Sequence, residues 1–235
     1  LLQRTNRRHR NKIAALHHEN ERKLFDAKIG FFTHITHEIR TPVTLILAPV
    51  EEIMRQKNIP EEIRDDLEVV KRNSERLLDL VNQILDFTKA EQEAFSSQNT
   101  WFDIDDLVEK TVQRFTPAAQ QKGIQLTHDT PQPIRICTDR EALTKVLSNL
   151  LTNAMKFTKD RILVSLTENP EAHTVTISVE DNGTGIKPTE KEKIFNLFYQ
   201  SANKPQLPNK GFGIGLAIVS LLVKRMMGKI EVESE

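Results

Sequence analysis

A stretch of 34 residues without glycine or proline, residues 61–94, constrains the fold of this chain more than any other feature. Such a stretch is typical of one long helix. Its seam steps by four and three residues and is apolar except at two positions: Ile63, Leu67, Val70, Ser74, Leu77, Val81, Ile84 and Thr88. Because a stripe of this kind buries itself only against another helix, the stretch predicts a helical bundle.

A second helical pattern precedes this stretch, over residues 20–57. Its apolar side chains recur at three and four, with one gap of seven: Phe32, Ile35, Ile39, Ile46, Val50 and Ile53. Pro42 and Pro49 predict a bend in the helix rather than its end, and residues 58–60 read as a turn. Two long helices with a short connection predict an antiparallel hairpin. Because one hairpin covers one side of each helix, we expect a homodimer that forms a four-helix bundle.

The pattern changes after a short polar linker, residues 95–100, and becomes mixed α/β. The expected strands are residues 101–104, 124–128, 134–138, 161–167, 174–179 and 230–233, with 161–167 and 174–179 forming a hairpin. The expected helices run from an Asp105 or Asp106 cap to about Gln120, from an Asp139 cap to Lys156, and from about Ile214 to Met227. The fold class is therefore α+β: a helical hairpin followed by an α/β domain.

The composition excludes several classes of protein. Lys and Arg total 33 against 33 Asp and Glu, which argues against a dedicated nucleic-acid binder. The single cysteine, Cys137, excludes a disulfide within the chain and a multi-cysteine zinc site. No apolar run approaches the roughly 18 residues that a membrane span needs.

The first 18 residues carry five basic side chains and no acidic one: Arg4, Arg7, Arg8, Arg10 and Lys12. Two interpretations stay equally open. The segment is either a solvated, frayed start of a helix, or a cytoplasmic juxtamembrane stretch next to a span that ends at Leu1 and Leu2.

A histidine next to an acid lies in the first helical pattern. His37 lies about 200° around the helix from Ile35 and from Ile39, so it faces outward. An exposed imidazole can act as a nucleophile, and Glu38 could take its proton or orient its ring. A solvated surface pair is the commoner explanation for two such residues alone, and His34 carries no further signal.

Three polar residues share one face of the helix that follows Asp139. Asn149, Asn153 and Lys156 lie at i, i+4 and i+7. Two amides and an ammonium suit a metal-bridged polyphosphate, with an amide oxygen on Mg²⁺ and the ammonium on phosphate. An ordinary exposed polar face is the alternative, and Leu147, Leu150 and Leu151 supply the opposite, buried face.

Five of the eight glycines lie within 33 residues: Gly183, Gly185, Gly211, Gly213 and Gly215. Residues 181–186 follow an expected strand, where Asp181 could accept from an exocyclic amine; a plain hairpin turn is the alternative. Residues 211–216 open a helix and could offer N–H groups to phosphate. A dinucleotide fingerprint would need a preceding strand, and a Walker loop would need Lys-Ser/Thr after the last glycine.

Taken in this order, the motifs resemble those of sensor histidine kinases of two-component systems. Residues 37–42 resemble the H box, 149–157 the N box and 181–185 the G1 box. Phe195 and Phe198 resemble the F box, and the G2 box matches residues 211–215. The resemblance covers roughly residues 25–234. The Phe-Phe run before His37 and Pro49 after it resemble the hybrid kinases of Bacteroides-type bacteria.

The resemblance implies an ATP-dependent kinase with a phosphotransfer hairpin and an ATP-binding sandwich of the gyrase/Hsp90/kinase/MutL type. His37 would accept the γ-phosphoryl group, Glu38 would be its base, and Thr41 would position water for phosphatase activity. Asn153 would hold Mg²⁺, and Asp181 would bind the adenine amine. The remaining nucleotide-binding positions would be Asn149, Lys156, Gly183, Gly185, Phe198, Gly211, Gly213, Gly215 and Leu216, with Gln200–Lys210 as a lid.

The family pattern also implies an organisation and partners. Residues 1–24 would be a signalling helix, 25–95 the dimerisation hairpin and 101–235 the catalytic domain, which in the family continues past Glu235. The partners would be a second copy and a response-regulator receiver domain. The full-length protein would be anchored in the bacterial inner membrane by a segment before residue 1, with this chain cytoplasmic. The chain departs from the family at Asn196-Leu197 and at Phe212.

Two other functions are compatible with the nucleotide motifs. An ATPase that drives a conformational cycle would need a catalytic Glu next to the N box, and Ser148 precedes Asn149 here. A non-catalytic dimer scaffold would have lost Asn153, Asp181 or the glycines, and all of them are present. The sequence therefore favours the kinase.

Overall fold

The computed structural model describes residues 30, 34–56, 58–92, 98–130, 133–201 and 211–234. The chain divides into two compact units, an N-terminal unit of Leu1–Gln92 and a C-terminal unit of Glu93–Glu235. The basic segment 1–18, the first part of the predicted helix and the predicted lid after Ser201 lie outside the described residues.

The N-terminal unit contains the two predicted helices. Helix α1 covers residues 34–54 and continues through Pro42 and Pro49, and α2 covers Glu61–Gln92. Arg40 donates a hydrogen bond of 2.8 Å to Asn82 Oδ1. Eleven residues further along α1, Glu51 lies 3.8 Å from Lys71, which is eleven residues earlier in α2. From the first contact to the second, the residue number rises by eleven in α1 and falls by eleven in α2, so the two helices are antiparallel neighbours.

The interior of the hairpin is narrower than the predicted seams. Val43, Val50, Val81 and Leu85 are buried, whereas several seam residues remain exposed: Ile46, Ile53, Ile63, Val70 and Leu77. This agrees with the expectation that one hairpin covers only one side of each helix. The physical reason is that two helices cover only one stripe of each other, and the remaining apolar side chains lie outside it.

The C-terminal unit contains five strands and three helices among its described residues. The strands are β1 (Asn99–Asp103), β2 (Gln125–Asp129), β3 (Arg135–Asp139), β4 (Arg161–Asn169) and β5 (Thr174–Asp181). The helices are α3 (Ile104–Gln121), α4 (Arg140–Phe157) and α5 (Gly215–Arg225). Two short 3₁₀ turns, Pro188–Glu190 and Lys193–Phe195, lie between β5 and α5.

The described strands form two small sheets. In one, β1 pairs antiparallel with β3, so that Trp101 lies opposite Cys137. In the other, β4 is central: it pairs in parallel with β2 and antiparallel with β5. Alternate residues of β4, namely Ile162, Val164 and Leu166, are buried in the core. The helices cover this face, and their buried side chains include Val108, Val112, Leu147 and Leu151.

The Asp139 cap of α4 is confirmed, because its side chain accepts a hydrogen bond of 2.9 Å from the Ala142 N–H. The predicted Asp105 or Asp106 cap of α3 is wrong. The N-cap is Asp103, which makes no side-chain capping bond. Asp105 instead accepts from the Ile134 N–H at 3.3 Å, and Asp106 accepts from Lys110 and Arg140. Neither carboxylate therefore caps α3, and the partners Ile134 and Arg140 lie 29 and 34 residues away in the chain.

Two further predictions about the C-terminal unit are wrong. Residues 230–233 form no strand in the described structure. The segment is held instead by Ser234, whose hydroxyl accepts from the Ile186 N–H at 2.7 Å and whose carbonyl accepts from Lys191 at 3.2 Å. Leu150 is only half-buried, whereas Leu147 and Leu151 are fully buried, so the apolar face of α4 is narrower than predicted.

Candidate nucleotide site and phosphoacceptor helix

His37 lies on the exposed side of α1, as the helical spacing predicts. His37 and Glu38 are exposed, whereas Ile35 and Ile39 are half-buried and Thr36 is buried. An imidazole in this position is accessible to a reacting group from outside the hairpin. The prediction that His37 faces outward is confirmed.

Thr41 lies one helical turn after His37. Its hydroxyl donates a hydrogen bond of 3.2 Å to the carbonyl oxygen of His37. Because a hydroxyl has one proton and two lone pairs, the Thr41 oxygen can still accept a hydrogen bond from a second group. The side chain of Thr41 is exposed, so that second group can be water.

The predicted polar face of α4 ends at Lys156 in the last turn of the helix. Asn149 is half-buried and donates a hydrogen bond of 2.9 Å to the Lys145 carbonyl. The Lys156 ammonium lies 5.0 Å from the centre of the Phe157 ring, which is within range of a cation–π interaction. Asn153 is half-buried and its amide makes no hydrogen bond to another described residue. Its carbonyl oxygen can therefore accept an external ligand.

The glycine-rich turn before α5 lies against this face. A Cβ on Gly215 would lie 2.9 Å from Oδ1 of Asn149, and a Cβ on Gly211 would lie 3.0 Å from the Lys156 ammonium. Helix α5 begins at Gly215 without a side-chain capping bond from the described residues. The structure thus brings the N-box side chains next to an uncapped helix N-terminus, where backbone N–H groups attract anions. Leu216 follows in the first turn and is half-buried.

The F-box segment also contacts the glycine turn. Phe198 donates its backbone N–H to the Gly213 carbonyl at 2.9 Å. Gly213 has a φ of +74°, and a Cβ there would collide with the Tyr199 carbonyl. Phe198 itself has a φ of +64° and is 56% exposed. A bulky residue in the left-handed region is strained, and such strain is concentrated at functional sites.

The G1 turn follows β5 and lies beside the end of α4. Asp181 is exposed, and its Oδ1 accepts a hydrogen bond of 2.8 Å from the Gly183 N–H. A Cβ on Gly183 would collide with the Phe157 carbonyl, which shows how closely this turn approaches α4. Gly185 is half-buried, with a φ of +68°. The second carboxylate oxygen of Asp181 takes no part in the bond to Gly183.

Asn182 fixes this turn, a role that its motif position did not predict. Its Oδ1 accepts from the backbone N–H groups of Asp160 and Arg161 at 3.2 and 3.1 Å, and its amide donates to Asp160 Oδ1 at 2.7 Å. These bonds join the end of β5 to the connection between α4 and β4. The sequence does not reveal this role of Asn182, because its hydrogen-bond partners lie more than 20 residues away in the chain.

A second fixed point lies at the start of the predicted lid. Glu190 accepts hydrogen bonds from the Tyr199 hydroxyl at 3.0 Å and from the Ser201 hydroxyl at 3.1 Å. Partial burial, followed by the hydrogen bond and the charge of Glu190, raises the pKa of the Tyr199 phenol above its ordinary value. Its hydroxyl donates to Glu190 and holds this segment to the first 3₁₀ turn, Pro188–Glu190.

The described residues also limit other kinds of site. They contain no group of three or more His, Cys, Asp or Glu side chains placed to hold a metal ion. No helix in the described ranges combines the length and the apolar character that crossing a membrane requires.

Two family models match the chain, and each falls largely within one unit. Residues 27–93 match the His Kinase A (phospho-acceptor) domain. Residues 138–235 match the histidine kinase-, DNA gyrase B- and HSP90-like ATPase. The first range contains His37, Glu38 and Thr41, and the second contains every predicted nucleotide-binding position.

Several curated proteins are similar over most of the chain. The sensor histidine kinase TmoS of Ectopseudomonas mendocina is 36% identical over 217 residues, which are 91% of this chain and 22% of TmoS. YcbM, a sensor histidine kinase of Bacillus subtilis, is 30% identical over 86% of this chain and 66% of YcbM. The autoinducer 2 sensor kinase/phosphatase LuxQ of Vibrio vulnificus is 33% identical over 88% of this chain and 25% of LuxQ. The chain thus spans less than two thirds of the length of these relatives.

Solved structures share the fold. Full-length ShkA in complex with AMPPNP superposes with a TM-score of 0.68 at 29% identity, over 83% of this chain and 41% of ShkA. The Acinetobacter baumannii histidine kinase AdeS superposes with a TM-score of 0.59 at 22% identity, over 85% of this chain and 91% of AdeS, and supports the fold alone. With a phosphoacceptor hairpin, an ATPase-type domain and these relatives, the chain belongs to the sensor histidine kinases of two-component systems.

Proposed function

We propose that this chain is the catalytic core of a sensor kinase that transfers the γ-phosphoryl group of ATP to His37. The phosphoryl group then passes to an aspartate of a response-regulator receiver domain. The observation that carries the proposal is that two glycine-containing turns, one after β5 and one before α5, both meet the second half of α4. Gly215 lies against Asn149, Gly211 lies against Lys156, and Gly183 lies against Phe157.

The residues at this meeting point fit a nucleotide. The uncapped N-terminus of α5 offers backbone N–H groups to phosphate oxygens, and the Lys156 ammonium adds a positive charge beside them. Asp181 supplies an exposed carboxylate, which suits the exocyclic amine of adenine. Full-length ShkA, which is 29% identical, was solved with AMPPNP, and this supports ATP as the substrate here.

The donor set also fits Mg²⁺ that arrives with the nucleotide. Mg²⁺ prefers oxygen ligands and is usually held by few protein groups together with substrate phosphates. Asn153 offers a carbonyl oxygen that accepts no hydrogen bond from another described residue, one turn from Asn149 on the same helix. Bound there, Mg²⁺ would neutralise charge that builds on the phosphates during transfer.

The chemistry at His37 follows from its exposure. An imidazole nitrogen attacks the γ-phosphorus, the new P–N bond forms, and the bond from phosphorus to the β–γ bridging oxygen breaks, which releases ADP. Glu38, the adjacent exposed carboxylate, takes the proton that leaves the ring or orients the ring for attack. Phosphotransfer to the receiver aspartate then regenerates the free imidazole.

Thr41 supports a phosphatase activity on the phosphorylated regulator. Its hydroxyl oxygen keeps a lone pair after it donates to the His37 carbonyl. A water that donates to Thr41 keeps its own lone pairs for attack on an acyl phosphate. LuxQ, named a sensor kinase/phosphatase, is 33% identical over 88% of this chain.

The N-terminal unit supports a homodimer. One hairpin leaves large apolar side chains exposed on both helices, among them Leu45 at 69% and Ile63 at 49%. Two copies would cover these faces in a four-helix bundle. The membrane anchor before residue 1, the cytoplasmic location and the likeness to Bacteroides-type hybrid kinases stay predictions.

The structure disfavours the conformational-cycle ATPase. The residue before Asn149 is Ser148, whose hydroxyl donates to the Thr144 carbonyl at 2.7 Å and accepts from Arg114 at 2.9 Å. No carboxylate occupies that position to activate water.

Labelling with [γ-³²P]ATP separates the three functions. The kinase predicts a label on the protein that is lost in acid and retained in alkali, as expected for phosphohistidine. The ATPase predicts released phosphate without a labelled protein, and the scaffold predicts neither. A label that survives acid would contradict phosphorylation of histidine.

A further inference from the structure

A buried ion pair joins the two helices that carry the N-box and G2 motifs. Arg225, the last residue of α5, donates to Oδ2 of Asp139, the N-cap of α4. Their side chains are only 5% and 9% exposed. The other carboxylate oxygen of Asp139 accepts the capping bond from Ala142. Both oxygens of Asp139 therefore have a defined partner, and neither partner is solvent.

Such a pair is poorly explained by stability alone. Removing two charges from water costs about as much as their attraction returns, and an apolar pair of the same shape is often as stable. What a buried ion pair adds is direction, since the guanidinium must meet the carboxylate at one place. The Asp139–Arg225 pair is therefore better suited to fix a position than to add stability.

The position that it fixes is the register of α5 against α4. Asn149 lies ten residues after Asp139, and Gly215 lies ten residues before Arg225. Gly215 in turn lies against Asn149. The ion pair and this close approach are thus two contacts within one antiparallel helix pair, about 15 Å apart at 1.5 Å per residue.

The packing contacts of α5 between the ion pair and Gly215 are less directional than the ion pair. The buried residues of α5 are apolar: Ala217, Ile218, Val219 and Leu222. Apolar burial is proportional to area and does not depend on direction, so it resists a small axial shift only through packing. A shift by one residue would carry Gly215 about 1.5 Å along α4. It would bring the side chain of Ile214 or Leu216 towards Asn149.

We propose that Asp139 and Arg225 are positioning residues for the nucleotide, because they hold the glycine turn before α5 against the N-box face. The inference deepens the proposed function and rests on it. Neither residue needs to touch ATP. Their effect reaches the phosphate-binding turn through α5, whose first residue is Gly215.

The test uses the whole 235-residue chain and a neutral replacement of the pair. Asp139→Asn with Arg225→Met removes both charges and keeps a capping side chain at residue 139. Lys229→Met with Glu231→Gln is the matched control. It also removes one positive and one negative charge near the end of α5, from a pair that is 83% and 65% exposed. AMPPNP affinity is measured by calorimetry, and folding by thermal melting without nucleotide.

The proposal expects the Asp139/Arg225 double variant to melt close to the unmodified chain and to bind AMPPNP at least about tenfold more weakly, while the control binds normally. Faster hydrogen exchange at residues 214–217 in the variant would locate the change at the start of α5. A folded variant that binds AMPPNP within twofold of the unmodified chain would overturn the proposal.

A second pair covers the case in which the first does not fold. Asp139→Ser with Arg225→Leu also keeps a capping residue and removes both charges. Its AMPPNP affinity and its melting temperature are measured and interpreted in the same way. If neither pair folds, the ion pair is needed for the fold itself, and its positioning role is overturned. If the unmodified chain fails to bind AMPPNP, the proposed function is wrong. Unchanged hydrogen exchange at residues 214–217 in a folded variant would then overturn the positioning role separately.

Discussion

Gly215 lies so close to Asn149 that a Cβ on residue 215 would stand 2.9 Å from the Oδ1 atom of the asparagine. A separation of this size forces one group to move, and the end of a side chain moves more easily than backbone. A substitution at residue 215 can therefore displace the Asn149 side chain without any substitution in α4.

We expect Gly215→Ala to weaken nucleotide binding about tenfold or more, a loss of about 1.4 kcal/mol, with little loss of fold stability. The added methyl group displaces the Asn149 amide, whereas alanine in a helix gains up to about 1 kcal/mol over glycine. Nucleotide titration and thermal melting of the same variant measure both effects. Gly30→Ala is the control, because no atom of the described residues outside its own helix lies within 4 Å of the added Cβ. Unchanged binding would show that this contact does not shape the site.

Asn153→Ala should lower the phosphorylation rate at least about tenfold, since it removes the proposed Mg²⁺ ligand. As a half-buried polar residue without a hydrogen bond to another described side chain, Asn153 should contribute about 0.5 kcal/mol or less to stability. Phosphoryl-transfer rates at several Mg²⁺ concentrations and the melting temperature are measured together. Thr152→Ala, at the neighbouring exposed position, is the control. A near-normal rate, or a large fall in melting temperature without nucleotide, would contradict the assignment.

Thr41→Ala should leave autophosphorylation of His37 near normal and slow dephosphorylation of the regulator, because the water-binding hydroxyl is lost. Thr44→Ala is a closely matched control. The Thr44 hydroxyl donates to the Arg40 carbonyl at 2.9 Å, as Thr41 donates to His37, one turn earlier. The two activities are measured separately with a labelled regulator. Equal phosphatase rates in the two variants would remove the special role of Thr41.

Met227→Gly should stabilise the C-terminal unit by about 0.5–1 kcal/mol. Met227 has a φ of +56° and is 93% exposed, so its backbone is strained and its side chain buries almost nothing. The N–H groups of Met227 and Gly228 bond to the Lys224 and Val223 carbonyls, which is the helix-ending geometry that glycine favours. Chemical denaturation measures the change. A loss of stability would show that the strain is absent or that Met227 packs in solution.

The sequence predicts the elements well where local signals decide. The Asp139 cap and the exposed side of α1 were predictable because spacing along one helix determines them. The β4–β5 hairpin was placed correctly, with both strands ending two residues later than expected. Local patterns suffice for such features, since the residues involved are close in the chain.

Other features depend on partners that are distant in the chain. Asp105 and Asp106 look like helix caps, but their bonds go to Ile134 and Arg140. Arg225 reads as an ordinary basic residue at a helix end, and only the structure pairs it with Asp139. The predicted strand over residues 230–233 had a strand-like composition, but strand formation needs a hydrogen-bonded neighbour, and none pairs with it among the described residues.

The identity of the phosphorylated residue decides whether His37 is the phosphoacceptor. His37→Gln and His34→Gln are labelled with [γ-³²P]ATP beside the unmodified chain, and the AMPPNP affinity of each is measured by calorimetry. Both histidines are exposed on the same helix, so the second substitution controls for the loss of a surface imidazole. We expect His37→Gln to lose the acid-labile label and to keep its nucleotide affinity, while His34→Gln keeps both. A label retained in His37→Gln would show that another residue is the phosphoacceptor and would contradict the proposed function.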